Sequence, residues 1–338
     1  MSLLEIRDLR VHFRTRDGVV KAVDGASVSL DRGQMIGVVG ESGSGKSVTA
    51  LTTIGLTRFG NAEISGEVLF DGVDLLKMPT RELRRVRGKR IAMIFQDPLS
   101  SLHPFYKAGW QIVEAIRAHE SVSRTGARER AIKALASVGI PNPERRIDAY
   151  PHELSGGMRQ RVMIAMALVL RPDMLIADEP TTALDVTVQA QILELIRDLR
   201  EEYGTAVMLI THDLGVVAET CDDVAVMYAG RIVERAPREA LFTAPEMPYT
   251  WGLLRSLPLL GGARQERLQP IQGLPPSLIH VPSGCPFHPR CPYRMDICAR
   301  EIPRLETAEP DHLVACHLPH DERQRIGREL QAERALAS

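Results

Sequence analysis

The sequence predicts an α/β protein with a mostly parallel sheet, followed by a small region rich in proline and cysteine. Three observations carry this. Short apolar runs recur through residues 1–235, and helical patterns separate most of them. One run leads directly into the glycine-rich turn Gly40-Glu41-Ser42-Gly43-Ser44-Gly45-Lys46-Ser47. From 236 to 338 the composition shifts: fourteen of the 22 prolines lie at 237–319, and four of the five cysteines at 285–316. A boundary near Ala236 and Pro237 follows.

Taken in order, Leu9, Val11 and Phe13 alternate with Arg10 and His12, the period of a half-buried strand. A strand at 67–70 runs into Asp71-Gly72, a hairpin turn signal. The runs 35–39, 91–95, 174–177, 206–210 and 224–228 read as short buried strands. The clearest helix is 186–203, with Ile192, Leu195, Ile196 and Leu199 on one face and Gly204 as its stop. Residues 236–320 carry too much proline for long helices, and the charged tail from Asp321 is expected to form an exposed helix.

Composition excludes several functions. The 338 residues exceed what one core usually covers, so two domains are expected. Lys plus Arg is 42 against 43 for Asp plus Glu, and aromatics are 4%. Neither a basic excess nor a base-stacking platform speaks for nucleic acid. The longest apolar run, 162–170, is nine residues, while a spanning helix needs about 20. The first ten residues lack the apolar stretch of a signal peptide. The expected location is the cytoplasm or the inner face of the membrane.

Three motifs carry chemistry. Residues 40–47 fit GxxxxGK[ST] after a strand. Gly40, Gly43 and Gly45 let the backbone, with Ser42, cradle phosphate oxygens. Lys46 reaches the β- and γ-phosphates, Ser47 ligates Mg²⁺, and Val48 continues the helix behind the cradle. The run 174–177 ends in Asp178 and Glu179. Burying two carboxylates at a strand end is costly unless they serve a site. Asp178 is assigned to Mg²⁺ and Glu179 to the attacking water. Ser155-Gly156-Gly157 opens an apolar helix and makes a second anion cradle. One nucleotide needs one cradle, so this one is expected to face a nucleotide held by another subunit.

With these motifs in order, residues 3–235 resemble the ATP-binding subunits of ABC transporters. Leu154-Ser155-Gly156-Gly157-Met158-Arg159-Gln160-Arg161 is similar to the family signature. The resemblance implies a RecA-like core, an antiparallel edge sheet and a helical subdomain at about 97–170. It implies that Ser155 and Gly157 contact the γ-phosphate of ATP across a head-to-tail dimer. Gln96, within Ile94-Phe95-Gln96-Asp97-Pro98, resembles the glutamine-loop residue and would join Ser47 and Asp178 on Mg²⁺. Asp185, in Ala183-Leu184-Asp185, resembles the D-loop at the dimer interface. His212 resembles the switch histidine that holds the γ-phosphate and water. Phe13 and residues 20–23 resemble the stretch that packs on adenine, with Phe in place of the more usual Tyr. The implied reaction is hydrolysis of ATP, with Glu179, His212, Gln96 and Lys46 as its catalytic residues.

The later region narrows the resemblance. Met247-Pro248-Tyr249-Thr250-Trp251-Gly252-Leu253-Leu254 is similar to a stretch in oligopeptide and dipeptide importer ATPases. This implies two membrane permeases, an extracytoplasmic binding protein and a second ATPase, homologous or identical. Nickel importers share the architecture. A soluble ABC ATPase of DNA repair or translation is the rival, but residues 114–150 are too few for its coiled coil. A nucleotide switch without turnover is the third reading, and Glu179 argues against it.

Cys285, Cys291, Cys298 and Cys316 are spaced x5, x6 and x17. A reducing compartment disfavours disulfides. Zinc takes tighter pairs, so the spacing points to a Cys₄ iron–sulfur cluster, with zinc or unligated thiols as alternatives. In the resembled family some members are thought to hold a [4Fe–4S] cluster here. His288, His312 and His317 could replace a thiol, and Cys221 reads as a core thiol. No hydrolysis residue lies in this region, so ligation is expected to leave nucleotide affinity alone. Six cations, Arg81, Arg84, Arg85, Arg87, Lys89 and Arg90, fall in ten residues. Without an overall basic excess they read as a solvated helix face.

Overall fold

The computed structural model describes residues 2–58, 60–97, 101–181, 186–256 and 271–337. They form two compact units. One comprises Asp31–Gln34 and Lys77–Ile210, the other Ser2–Leu30, Met35–Leu76 and Thr211–Ser338. Among the described residues the strands are β1 (Ser2–Thr15), β2 (Gly18–Asp31), β3 (Met35–Val39), β4 (Ala62–Phe70), β5 (Val73–Asp74), β6 (Ile91–Ile94), β7 (Met174–Asp178), β8 (Ala206–Ile210), β9 (Asp223–Tyr228), β10 (Arg231–Pro237), β11 (Glu306–Glu309) and β12 (His312–Val314).

The first unit carries β8, β7 and β6 side by side and parallel, with Met174 opposite both Ile91 and Ala206. Every residue of the three is buried, as expected for parallel strands covered on both faces. The helix Val186–Tyr203 buries Ile192, Leu193 and Ile196, and Leu195 and Leu199 are half-buried. Gly204 ends it at φ 65, its N–H bonded to the Arg200 carbonyl, the left-handed stop expected there. The helices Ala108–His119, Arg124–Ser137 and Gly156–Leu168 make an α-helical layer whose shared face buries Ile112, Ile116, Ala131, Leu135 and Val162. In the basic run, Arg81, Arg84, Arg85 and Lys89 are exposed, while Arg90 bonds Asp173 at 2.7 Å.

The second unit holds an antiparallel sheet in the order β2-β1-β4-β5. Leu9 and Val11 are buried and Phe13 is half-buried, the alternation read from the sequence. The β4–β5 hairpin turns at Asp71 (φ 52) and Gly72 (φ 78), both positive, which suits a tight hairpin turn. The other strands of this unit run β11-β12-β10-β9-β3. Only β3 and β9 pair in parallel, Ile36 opposite Asp223. Cys221 is fully buried beside them, a core thiol.

The region after 236 has short helices, Arg238–Thr243 and Pro248–Arg255. The terminal helix, His320–Ala337, corrects one expectation: it is not exposed all round. Ile326 and Leu330, one turn apart, are buried with Trp251 and Leu318. Arg323 lies on the same face, and Glu246 neutralises it at 2.9 Å. No helix of the described residues is long and apolar enough to cross a membrane.

This region is tied to β10 by a buried carboxylate. Glu234 is fully buried and accepts from the amides of Glu246 (2.6 Å) and Met247 (3.3 Å). His312 Nε2 completes the set at 2.8 Å. Burial alone would lower the His312 pKa, but the hydrogen bond and charge of Glu234, with Glu246 and Glu309, raise it above the ordinary value. Stability gained this way is complete below the ordinary histidine value of about 6.5 and is lost as pH rises through the raised one. His312→Ala should therefore cost about 2–3 kcal/mol at pH 6, and less at high pH, measured by denaturant unfolding across pH. Equal losses at both ends of the range would contradict it.

Candidate functional site

In the second unit, β3 delivers the chain into residues 40–47. The loop is shaped for glycine. At Gly40 (φ +152) a Cβ would lie 2.1 Å from the Met227 carbonyl oxygen, and at Gly45 (φ +107) 2.4 Å from that of Ala22. Ala22 belongs to the 20–23 stretch expected at the adenine, so that stretch does lie against the loop. Lys46 opens the helix Lys46–Thr53 and is buried. Its ammonium donates to the carbonyls of Gly40 (2.7 Å) and Glu41 (2.9 Å) and to Ser44 Oγ (3.3 Å). It is thus held over the loop it is expected to serve. Ser42 and Gly43 are exposed, and Ser47 and Val48 are half-buried. Nothing would obstruct a Cβ at Gly43, so that face of the loop is open. These features suit a phosphate chain with its Mg²⁺.

His212 is exposed in the same unit. The preceding Thr211 N–H bonds the Val38 carbonyl at 3.3 Å, so His212 leaves beside the end of β3, where the loop begins. Asp213 then caps the helix Leu214–Thr220, accepting from the amides of Gly215 and Val216.

In the first unit, β7 ends in the acid pair. Asp178 is 4% exposed. Glu179 adopts the left-handed φ of 46°, uncommon for a residue with a side chain. Its N–H bonds the Ile210 carbonyl at 2.8 Å. Gln96 Nε2 donates to Glu179 Oε2 at 3.0 Å. The two residues the motifs assigned to water and metal therefore meet, and the Gln96 amide oxygen is the atom left for a cation.

Ser155 is the N-cap of Gly156–Leu168 and accepts from the Met158 amide at 3.3 Å. Ser155 and Gly156 are exposed and Gly157 half-exposed, so this cradle opens outward. Gln160 fixes the helix start to the strand end by donating to the Pro180 carbonyl at 2.5 Å. Asp185 lies outside the described residues.

The four clustered cysteines are free thiols. The Cys285 amide bonds the Cys298 carbonyl at 2.8 Å. Burial raises the Cys285 thiol pKa, helped by Cys298. Burial also pushes Cys291 up to about 11, with Cys285 and Cys298 adding to it. Cys316 is pushed up to about 12 by burial, with Cys285 and Cys291 adding to it. Cys285 and Cys291 thus lie within electrostatic reach of each other, of Cys298 and of Cys316. They are not packed as ligands of a single small ion. Among the described residues the group whose ligand atoms all lie within 4.8 Å is Glu246, Glu309 and His320. That group is an ion-pair network, since Arg323 already occupies Glu246. The nearby histidines each commit one ring nitrogen elsewhere: His288 to the Cys285 carbonyl, His312 to Glu234 and His317 to the Glu301 carbonyl.

Residues that the motifs did not single out surround the loop. Glu41 is bonded by Arg290 and Tyr249, and Tyr228, Tyr249 and Phe287 pack ring against ring beneath it. Only the Tyr249 stretch stood out in the sequence. Arg290 is one arginine among many in a proline-rich segment, with no spacing to mark it.

A family model described as ABC transporter matches residues 23–182, and one described as oligopeptide/dipeptide transporter, C-terminal region, matches 233–298. The chain is 54% identical over 315 residues to a probable peptide ABC transporter ATP-binding protein of Sinorhizobium fredii, covering 93% of this chain and 94% of that protein. It is 50% identical over 321 residues to the oligopeptide transport ATP-binding protein OppD of Escherichia coli, covering 95% and 94%. Among solved structures, a dimeric ATP-binding cassette in a post-hydrolysis state with ADP and Pi superposes with a TM-score of 0.63 at 26% identity, covering 70% of this chain and 98% of that one. These matches show the family: the chain belongs to the ATP-binding proteins of ABC transporters, in the oligopeptide/dipeptide transporter family.

Proposed function

We propose that this ATPase drives the import of di- or oligopeptides from the cytoplasmic face of the membrane. It works with a second ATPase chain, two permeases and, indirectly, an extracytoplasmic binding protein. The solute reading is supported by the C-terminal match and by the printed function of the 50%-identical relative.

The observation that carries the chemistry is the Gln96–Glu179 hydrogen bond. It fixes the orientation of the Glu179 carboxylate. In this reading Lys46 and residues 40–45 hold the β- and γ-phosphates, and Ser47, Asp178 and the Gln96 oxygen hold Mg²⁺. Bound Mg²⁺ offsets the charge of the phosphates. Glu179 polarises a water for in-line attack on the γ-phosphorus, giving ADP and Pi. His212 donates to the γ-phosphate as charge develops. Phe13 packs on adenine. Ser155 and Gly157 of one chain, with Asp185, act on the nucleotide of its partner, which the outward-facing cradle favours. Residues 1–235 carry this ATPase, with its helical subdomain at about 97–170, and 236–338 are the accessory region.

Glu179→Gln should keep ATP binding and slow turnover of the assembled transporter by roughly 10²–10⁴-fold. Near-normal turnover in reconstituted vesicles would remove Glu179 from the chemistry.

Ser155→Arg puts a long cation where a phosphate must approach a helix start. ATP-driven association of chains carrying Glu179→Gln should be lost, read by size-exclusion chromatography, while each chain still binds nucleotide. Undiminished association would refute the shared site.

The four thiols are read as ligands of an iron–sulfur cluster. Tetrahedral zinc, with Zn–S of about 2.3 Å, would draw sulfurs to about 3.8 Å apart. A four-iron cluster is wider and suits the looser convergence. Ligation would stabilise a region poor in apolar runs, because metal binding becomes folding free energy. Anaerobically purified protein should contain iron and acid-labile sulfide. Cys298→Ser should lose both and make the region after 236 protease-sensitive. Stoichiometric zinc would transfer the site to zinc, and no metal with unchanged protease resistance would end the ligation reading.

A further inference from the structure

Glu41 is the first variable residue of the glycine loop, and its polar groups are engaged from two sides. Its carbonyl accepts from Lys46 Nζ at 2.9 Å. Its amide donates to the Tyr249 hydroxyl at 2.8 Å. Both carboxylate oxygens accept from one guanidinium: Arg290 Nη1 to Oε2 at 2.6 Å and Nη2 to Oε1 at 3.0 Å. The pair spans 249 positions of sequence.

Arg290 is itself fixed. Its side chain is 5% exposed. Nε donates to the Gln272 carbonyl at 3.0 Å, and Nη1 reaches the Tyr228 hydroxyl at 3.4 Å. Its backbone N–H bonds the Phe287 carbonyl, and that of Cys291 the His288 carbonyl. The guanidinium therefore projects from the short turn that carries Cys285 and Cys291. A bidentate buried pair is directional as well as strong, so it transmits position. Moving the cysteine turn moves Arg290, then Glu41, then the carbonyl on which the Lys46 ammonium rests.

We propose that Arg290 is a positioning residue for the glycine loop, and that through it the four-cysteine site sets how tightly the chain holds ATP. The second half rests on the ligation reading above. It replaces the independence of the two regions that the sequence suggests.

The test is a double-mutant cycle on the full chain, with a fluorescent ATP analogue as probe. Arg290→Ala should raise its dissociation constant roughly tenfold, a coupling common within one hydrogen-bonded network. Glu41→Gln, which keeps the side-chain shape and loses the charge, should do the same, with a thermal melt of each variant to separate lost affinity from lost stability. The double variant should be no worse than either single one. Arg290→Lys, which keeps the charge but loses the fork, should fall between. In the assembled transporter KM for ATP should rise while kcat holds, a split that mere loss of stability would not produce. Unchanged affinity in Glu41→Gln, or effects that simply multiply in the double variant, would overturn the positioning role.

Cys298→Ser tests the second half. Loss of metal with a weaker probe affinity, and no further weakening in the Arg290→Ala background, supports it. Loss of metal with unchanged affinity overturns it. A wild-type chain without metal overturns the ligation reading and this half together, while the cycle still decides the first.

Discussion

A loop that binds an anion through its own backbone, with glycine at half of positions 40–45, has few side chains with which to hold itself in place. Residues 40–45 illustrate the constraint: at Gly40 and Gly45 a single Cβ would collide with a neighbouring carbonyl. The loop must be held from outside, and much of the second unit does so. Lys46 ties its two ends. The Gly230 amide bonds the Ser44 carbonyl, and Asp24 in turn bonds Gly230, so β2 and the β9–β10 turn brace the loop from one side. Tyr249 and Arg290 brace it from another. The conformational entropy of so many glycines makes each brace matter.

The region after 236 meets a different demand. Beside its buried apolar side chains it also buries charge: Glu246, His312 and Arg323, with Glu234 of β10, are all under a tenth exposed. Each is compensated by a partner or a backbone amide. Such networks contribute little net stability, because desolvation offsets attraction. Their directional bonds instead favour one arrangement over others, which a proline-rich chain with few helices otherwise lacks. The Trp251, Leu318, Ile326 and Leu330 cluster supplies the apolar part.

What the sequence revealed follows from the range of the signals. The buried strands Met35–Val39 and Ala206–Ile210 were legible to the residue because continuous apolar runs are local. The helix Val186–Tyr203 and its stop at Gly204 were legible for the same reason. The glycine loop, acid pair and signature serine were legible because their chemistry needs fixed spacings. The strands β11 and β12 were not: Glu306–Glu309 and His312–Val314 are short, and they exist by pairing, β12 on β10 and β11 on β12. The terminal helix was expected, but its buried apolar side chains, Ile326 and Leu330, were lost among charges. Arg290 and Glu41 were invisible as a pair because no periodicity links positions so far apart. Gln96 and Glu179 also lie far apart, 83 positions against 249, yet each belonged to a recognisable motif.

Strand β11 has a consequence for how the protein meets other chains. It is the outermost strand of its sheet, four residues long, with Glu306, Thr307 and Glu309 exposed. Pro303 precedes it and Pro310 follows it. An unprotected sheet edge recruits further strands and seeds aggregation, and short length, charge and flanking proline are what blunt it. In the shared-site reading proposed above, two ATPase chains associate through chosen faces. An edge that offers no foothold to another strand keeps those encounters from ending in irreversible sheet extension.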